Sequence, residues 1–131
     1  MEVEAGLSEV GRLVWVAVKH PRDAFVDERT IAAQWQALKF TAKPDLARAA
    51  DEHDRFVDIL RSAGAVVHFL PRDEDTTLDS IYARDASVLC GGGLVLASMG
   101  KAQRRGEPDA QARSLVAVVP LAGRSAAPGR L

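Results

Sequence analysis

The sequence predicts an α/β fold on three observations: an apolar run at Arg12 to Val18 (RLVWVAV), a long amphipathic stretch from Pro44 to Ala63, and a second apolar run at Ala65 to Leu70. Strand, helix, strand is the order of a βαβ unit. The first run suits a buried strand and stops at His20-Pro21, because proline holds the preceding residue in extended conformations. In the middle stretch Leu46, Ala49, Ala50, His53, Phe56, Val57, Leu60 and Ala63 recur at helical spacing, which predicts one helix with Phe56 and Leu60 facing the sheet. Pro44 and Asp45 suit its first turn, and Gly64 its left-handed stop. The second run ends at Pro71.

A chain of 131 residues, 47% of them hydrophobic, suits one core. A net charge of −1 gives no electrostatic case for nucleic acid or an anionic membrane. The single cysteine, Cys90, excludes an intramolecular disulfide and points to a reducing, cytoplasmic setting. No apolar run has membrane-spanning length, and the acidic start MEVEAGLSEV lacks the features of a signal peptide. His20, His53 and His68 show no metal-ligand spacing, so all three read as structural and no metal is expected.

The remaining segments are less periodic. Residues 1–11 read as a lead-in. Arg22 to Lys43 mixes charges with Phe25, Val26, Ile31, Trp35, Leu38 and Phe40, and holds a short helix near Thr30 to Leu38. Gly91 to Gly93 separates two apolar runs, SVLC and LVLASMG, and predicts a hairpin. These glycines lack the lysine and hydroxyl residue of a P-loop and do not open a helix, so they mean a turn and not a phosphate site. Cys90 beside them has no nearby histidine motif and reads as a turn cysteine. A further helix from Pro108 is stopped by Pro120, and residues 112–131, rich in Ala, Arg, Gly and Pro, are expected to form an irregular, unpacked tail.

Most of the chemical information lies between Asp79 and Glu107. With Ile81 to Leu89 extended, alternation places Asp79, Ile81, Ala83 and Asp85 on one face and Tyr82 and Arg84 on the other. Paired carboxylates suit a planar guanidinium, and an arginine beyond the turn suits a carboxylate, so the pattern describes a site for an arginine-like amino acid. Each residue also has a plain reading: Asp79 as a turn former before Ser80, and Arg104 and Arg105 as solvated loop residues. Asp85 is the hardest to dismiss, because a charge inside an apolar strand pattern is costly unless paired.

In order along the chain, Leu70-Pro71, the RDED that follows, Asp79-Ser80, the aromatic Tyr82, Asp85 and the RRGE of Arg104 to Glu107 resemble the dimethylarginine dimethylaminohydrolase and arginine deiminase group of the amidinotransferase-like (pentein) superfamily. The resemblance covers the first half of a family member and implies a partial α/β propeller, about two of five αβ units. Residues 12–111 would form this guanidino-hydrolase-like domain and 112–131 a divergent tail left by truncation or frameshift. The family chemistry needs no cofactor: a thiolate attacks the guanidinium carbon, an amine or ammonia leaves, and water releases the ureido product.

By the same resemblance Asp85 would grip guanidinium nitrogens, Asp79 would contact the amino-acid end of the substrate, Arg104 would bind its α-carboxylate, and Arg105 would support the loop or pair with Glu107. The segment Arg22 to Lys43 would cover the substrate. Arg84 stands where dimethylargininases often carry a second acid. The family's catalytic histidine and cysteine fall beyond the matched half, so the resemblance implies a substrate-gripping part, inert alone, whose partners are a small guanidino ligand and either a homo-oligomer or a separate C-terminal half. The alternatives are a pseudoenzyme or binding module for arginine-like ligands, and a plain αβ domain.

Overall fold

A computed structural model describes residues 10–126. Its first unit is the expected one. Strand β1 (Trp15–Val18) runs parallel to β2 (Val66–Phe69), with Val16 opposite Val67, and helix α3 (Leu46–Ser62) connects them. The α3 helix starts later than Pro44 because the Asp45 side chain caps it, accepting the Arg48 N–H at 3.1 Å. Its end is the expected one, with Gly64 at φ +93°.

Between β1 and α3 lie two short helices, α1 (Pro21–Ala24) and α2 (Glu28–Gln34). Phe25, Ile31 and Leu38 from this region join Leu78 in one buried cluster, with Trp35 and Phe40 packed against it. The apolar residues scattered through this segment therefore build a core of their own. Leu46 and Ala49 of α3 pack against this core, but α3 buries less of its apolar stripe than expected. Val57 is its one buried residue, and Phe56, predicted to face inward, is 48% exposed.

His20 ties α1 to α3. It is 2% exposed, its Nδ1 accepts the Arg22 N–H, and its Nε2 lies 2.8 Å from the Asp54 carboxylate. The His53 ring packs edge-on against it at 4.9 Å, and His53 Nδ1 is buried without a hydrogen-bond partner among the described residues. Burial, reinforced by His20, lowers the His53 pKa below its ordinary 6.5. An unfolded chain thus takes up a proton on His53 before the folded one does, and stability falls as pH drops through and below about 6.5. Urea midpoints between pH 7 and pH 5 should show this loss, and His53→Gln should flatten it.

The second unit differs from the sequence reading in two places. Residues from Leu78 to Asp85 do not form a strand: they make two short 3-10 turns, Leu78–Ile81 and Ala83–Asp85, the first capped by the Thr77 hydroxyl on the Asp79 N–H. Extended chain begins only at β3 (Ser87–Cys90), which pairs antiparallel with β4 (Gly93–Leu96) across the glycine turn. The alternation argument for Asp79 and Asp85 therefore fails, because eclipsed 3-10 turns do not project side chains with a period of two.

The second correction concerns the C-terminal segment. Residues 112–126 are packed: helix α4 (Glu107–Leu115) leads to strand β5 (Leu121–Arg124), which joins β4 in parallel. Leu115 and Val119 are buried in a cluster with Leu70, Leu94 and Leu96. Arg124 also pairs with Asp109, tying β5 to α4. Among the described residues the result is a mixed α/β arrangement with one two-stranded and one three-stranded sheet.

Candidate functional site

Asp79, Asp85 and Arg104 line one open cleft of about 620 Å³, whose other wall is the segment from Leu38 to Pro44 with Phe40 and both Lys39 and Lys43. The three predicted residues reach it from three different turns, not from one strand and its return. Asp79 comes from the first 3-10 turn and is 3% exposed. The Asp85 side chain, from the second turn, is 53% exposed. Arg104 ends a third such turn, Ala102–Arg104.

Arg104 is the most constrained of the three. Its Nε and Nη2 donate to the two oxygens of Glu107, each at 2.8 Å, Nη1 donates to Asp85 Oδ2 at 2.7 Å, and Nη2 also donates to the Tyr82 carbonyl at 3.2 Å. Glu107 is 2% exposed, so this fork joins a buried carboxylate to an exposed one. Hydrogen bonds to Glu107 first, then to Asp85, hold the guanidinium pKa above its ordinary value against the opposing effect of burial. The partner of Glu107 is thus Arg104, and of the two roles expected for Arg105, supporting the loop or pairing with Glu107, the pairing is not made among the described residues. Arg105 lies in the exposed part of the loop. The groups expected at opposite ends of a ligand, Asp85 and Arg104, touch each other.

Lys101 is the site residue that sequence reasoning missed. Its ammonium donates to Asp79 Oδ2 at 2.6 Å and to the Leu38 carbonyl at 2.8 Å, joining the Asp79 turn to the segment that forms the opposite wall. The available signal was weak: a lone lysine after Gly100, with its carboxylate partner in a distant turn. Tyr82, a family mark that alternation placed on the face opposite Asp79 and Asp85, lines the same cleft with them, its ring centroid 6.5 Å from that of Phe40 and the Arg104 guanidinium 5.8 Å from its ring.

Further polar contacts lie outside the lining of the cleft. Lys19 is 4% exposed and donates to the Pro71 carbonyl at 2.6 Å; burial lowers its pKa. Gln111 links the Ala83 carbonyl and the Ser87 hydroxyl, fixing the turn that carries Asp85. The Cys90 thiol donates to the Gly93 carbonyl in the hairpin. His68 bonds Ser114 at 2.9 Å. Among the described residues, no group of His, Cys, Asp and Glu is placed to hold a metal ion, and no helix is long and apolar enough to cross a membrane.

Residues 25–123 match the family model described as N,N dimethylarginine dimethylhydrolase, eukaryotic. The match runs beyond Gln111, up to residue 123. No curated protein matches the sequence significantly. Solved structures similar in fold include the following three. One is a dimethylarginine dimethylaminohydrolase adduct with 4-chloro-2-hydroxymethylpyridine (TM-score 0.67, 22% identity, 89% of this chain and 42% of that one). Another is a histidine-to-glycine variant of such an enzyme, as an adduct with S-methyl-L-thiocitrulline (TM-score 0.65, 20% identity, 90% and 44%). The third is a cysteine-to-serine variant from Pseudomonas aeruginosa complexed with citrulline (TM-score 0.69, 20% identity, 90% and 44%). The chain therefore spans less than half the length of these proteins.

Proposed function

Because the chain belongs to the N,N-dimethylarginine dimethylhydrolase family, we propose that it supplies the substrate-gripping part of a cytoplasmic hydrolase acting on the guanidino group of arginine or methylated arginine. In this reading it forms about two of the five αβ units of a pentein propeller. The observation that carries the proposal is the shared cleft: Asp79, Asp85 and Arg104, all within the matched residues, line one opening together with the aromatic Tyr82.

Asp85 is the acceptor for the guanidinium, since its Oδ2 already receives one, from Arg104, and its carboxylate is half exposed to the cleft. Holding the guanidinium by its nitrogens leaves the central carbon presented to a nucleophile. The chemistry itself needs a thiolate that adds to that carbon, a proton for the departing amine, and water to release the ureido product. Cys90 does not fit the first role, because its thiol is engaged within its own hairpin. A complementary half would supply the thiolate and histidine.

Two results are expected from the 131-residue chain alone. Incubation with arginine or dimethylarginine should give no citrulline, and citrulline formation lost in Cys90→Ala would overturn that. Arginine should bind weakly, with Kd in the millimolar range or weaker, about 4 kcal/mol, because a water-filled cleft screens each charged contact. Backbone NMR shifts on titration should cluster around Asp85 and disappear in Asp85→Asn. Shifts elsewhere, or unaffected by that substitution, would refute the site.

A further inference from the structure

An amino-acid ligand with a guanidino tail brings three charged groups, and the cleft treats them unequally. The guanidinium has Asp85. The carboxylate meets an Arg104 that is already engaged: Nε and Nη2 are bound to Glu107 and the Tyr82 carbonyl, and Nη1 to Asp85. A bidentate grip would require breaking the fork to Glu107, which is 2% exposed and would be left as a buried, uncompensated charge. The α-ammonium would need a carboxylate, and Asp79 is the remaining one in the cleft. That carboxylate is taken. Lys101 places its own ammonium between Asp79 Oδ2 and the Leu38 carbonyl. An acid and a main-chain carbonyl converging on one cation form a receptor for a primary ammonium, and here the chain fills it from within.

We propose that Lys101 is a specificity-determining residue: its ammonium occupies the place of a ligand's α-ammonium and turns its remaining proton to the ligand's carboxylate, so the cleft selects guanidino carboxylates that lack an α-amine over arginine. The proposal rests on the reading of this cleft as a guanidino site and narrows its substrate class, setting guanidino carboxylates without an α-amine ahead of the arginine-type substrates named above. Its physical basis is a count of donors and acceptors. An ammonium offers donors beyond those that Asp79 and Leu38 receive, the Lys101 side chain is 35% exposed, and Lys39 and Lys43 line the same opening. A carboxylate entering there meets cations. A second ammonium entering there meets Lys101 and its like charge.

The test compares three probes on the 131-residue chain by NMR titration: arginine, 4-guanidinobutyrate, which lacks the α-amine, and agmatine, which lacks the carboxylate. The expected order is 4-guanidinobutyrate first, with arginine and agmatine each weaker by about tenfold, the scale of one charge-assisted contact. Lys101→Met should empty the ammonium receptor and reverse the order, so that arginine binds more tightly than 4-guanidinobutyrate. Wild-type binding of arginine equal to or tighter than that of 4-guanidinobutyrate overturns the assignment of Lys101 while leaving the guanidino site standing. An unchanged order in a folded Lys101→Met chain does the same. Failure of all three probes to bind overturns both readings. The wild-type order decides the matter even where the variant does not fold.

Discussion

Replacing Arg104 with alanine is expected to destabilise the chain by about 3–5 kcal/mol, a large part of the roughly 5–15 kcal/mol that holds a domain of this kind together. The loss comes from the partner left behind. Glu107 is 2% exposed, it opens α4, and both its oxygens are satisfied by the guanidinium, so truncating Arg104 strands a buried carboxylate. Lysine should not rescue the fold, since a single ammonium cannot reproduce the paired donation from Nε and Nη2. Removing both charges in Arg104→Met with Glu107→Met should recover much of the loss, because an apolar pair of similar volume leaves no charge unpaired. Asp85→Asn should change stability by under about 1 kcal/mol, because that carboxylate is half exposed and its pairing is screened. Urea unfolding of the four variants separates these effects. A small loss in Arg104→Ala would mean that Glu107 finds water, and that Arg104 is available to a ligand after all.

The same pair of residues illustrates what the sequence discloses and what it conceals. Strands β1 and β2 and helix α3 were legible because burial on a sheet imposes branched apolar runs and a helix imposes a period, both local signals. Residues Leu78 to Asp85 were misread because the period of two of the apolar run that follows was carried back through D-S-I-Y-A-R-D, which does not itself alternate polar and apolar. The feature that decides for a 3-10 turn is Thr77 capping Asp79, and threonine is equally at home in strands. The membership of Asp79, Asp85 and Arg104 in one opening was anticipated for a reason that does not hold: the turns bring them together, not strand alternation. Lys101 was invisible because its role depends on two acceptors, Asp79 and Leu38, that meet only after the chain has folded. The choice of Arg104 over Arg105 as the partner of Glu107 is likewise a matter of which side chain points inward, and nothing in R-R-G-E states that.

The segment after Gln111 was misjudged for another reason. Strand β5, Leu-Ala-Gly-Arg, has neither alternation nor β-branched residues, and is extended because β4 offers it a free edge. Its packing therefore makes a sharp prediction at Gly93: Gly93→Ala should destabilise the chain by about 3 kcal/mol or more. Two penalties combine there. Gly93 has φ +123°, where a side chain is strained, and a β-carbon on it would overlap the Pro120 carbonyl. That carbonyl accepts the Leu94 N–H at 2.8 Å, the bond that starts the pairing of β4 with β5. Making room for the methyl must push Pro120 away, opening the register at Leu94 and loosening Val119 and Leu115 beneath it. Hydrogen exchange should accelerate at Leu94 and at Ser125, whose N–H bonds the Leu96 carbonyl at the far end of the same ladder. Gly123→Ala is the control: no atom lies near its β-carbon position and its φ is not positive, so its effect should stay within about 0.5 kcal/mol. Equal stability of the two variants would mean that β5 does not hold to β4, and that the C-terminal segment contributes nothing to the core.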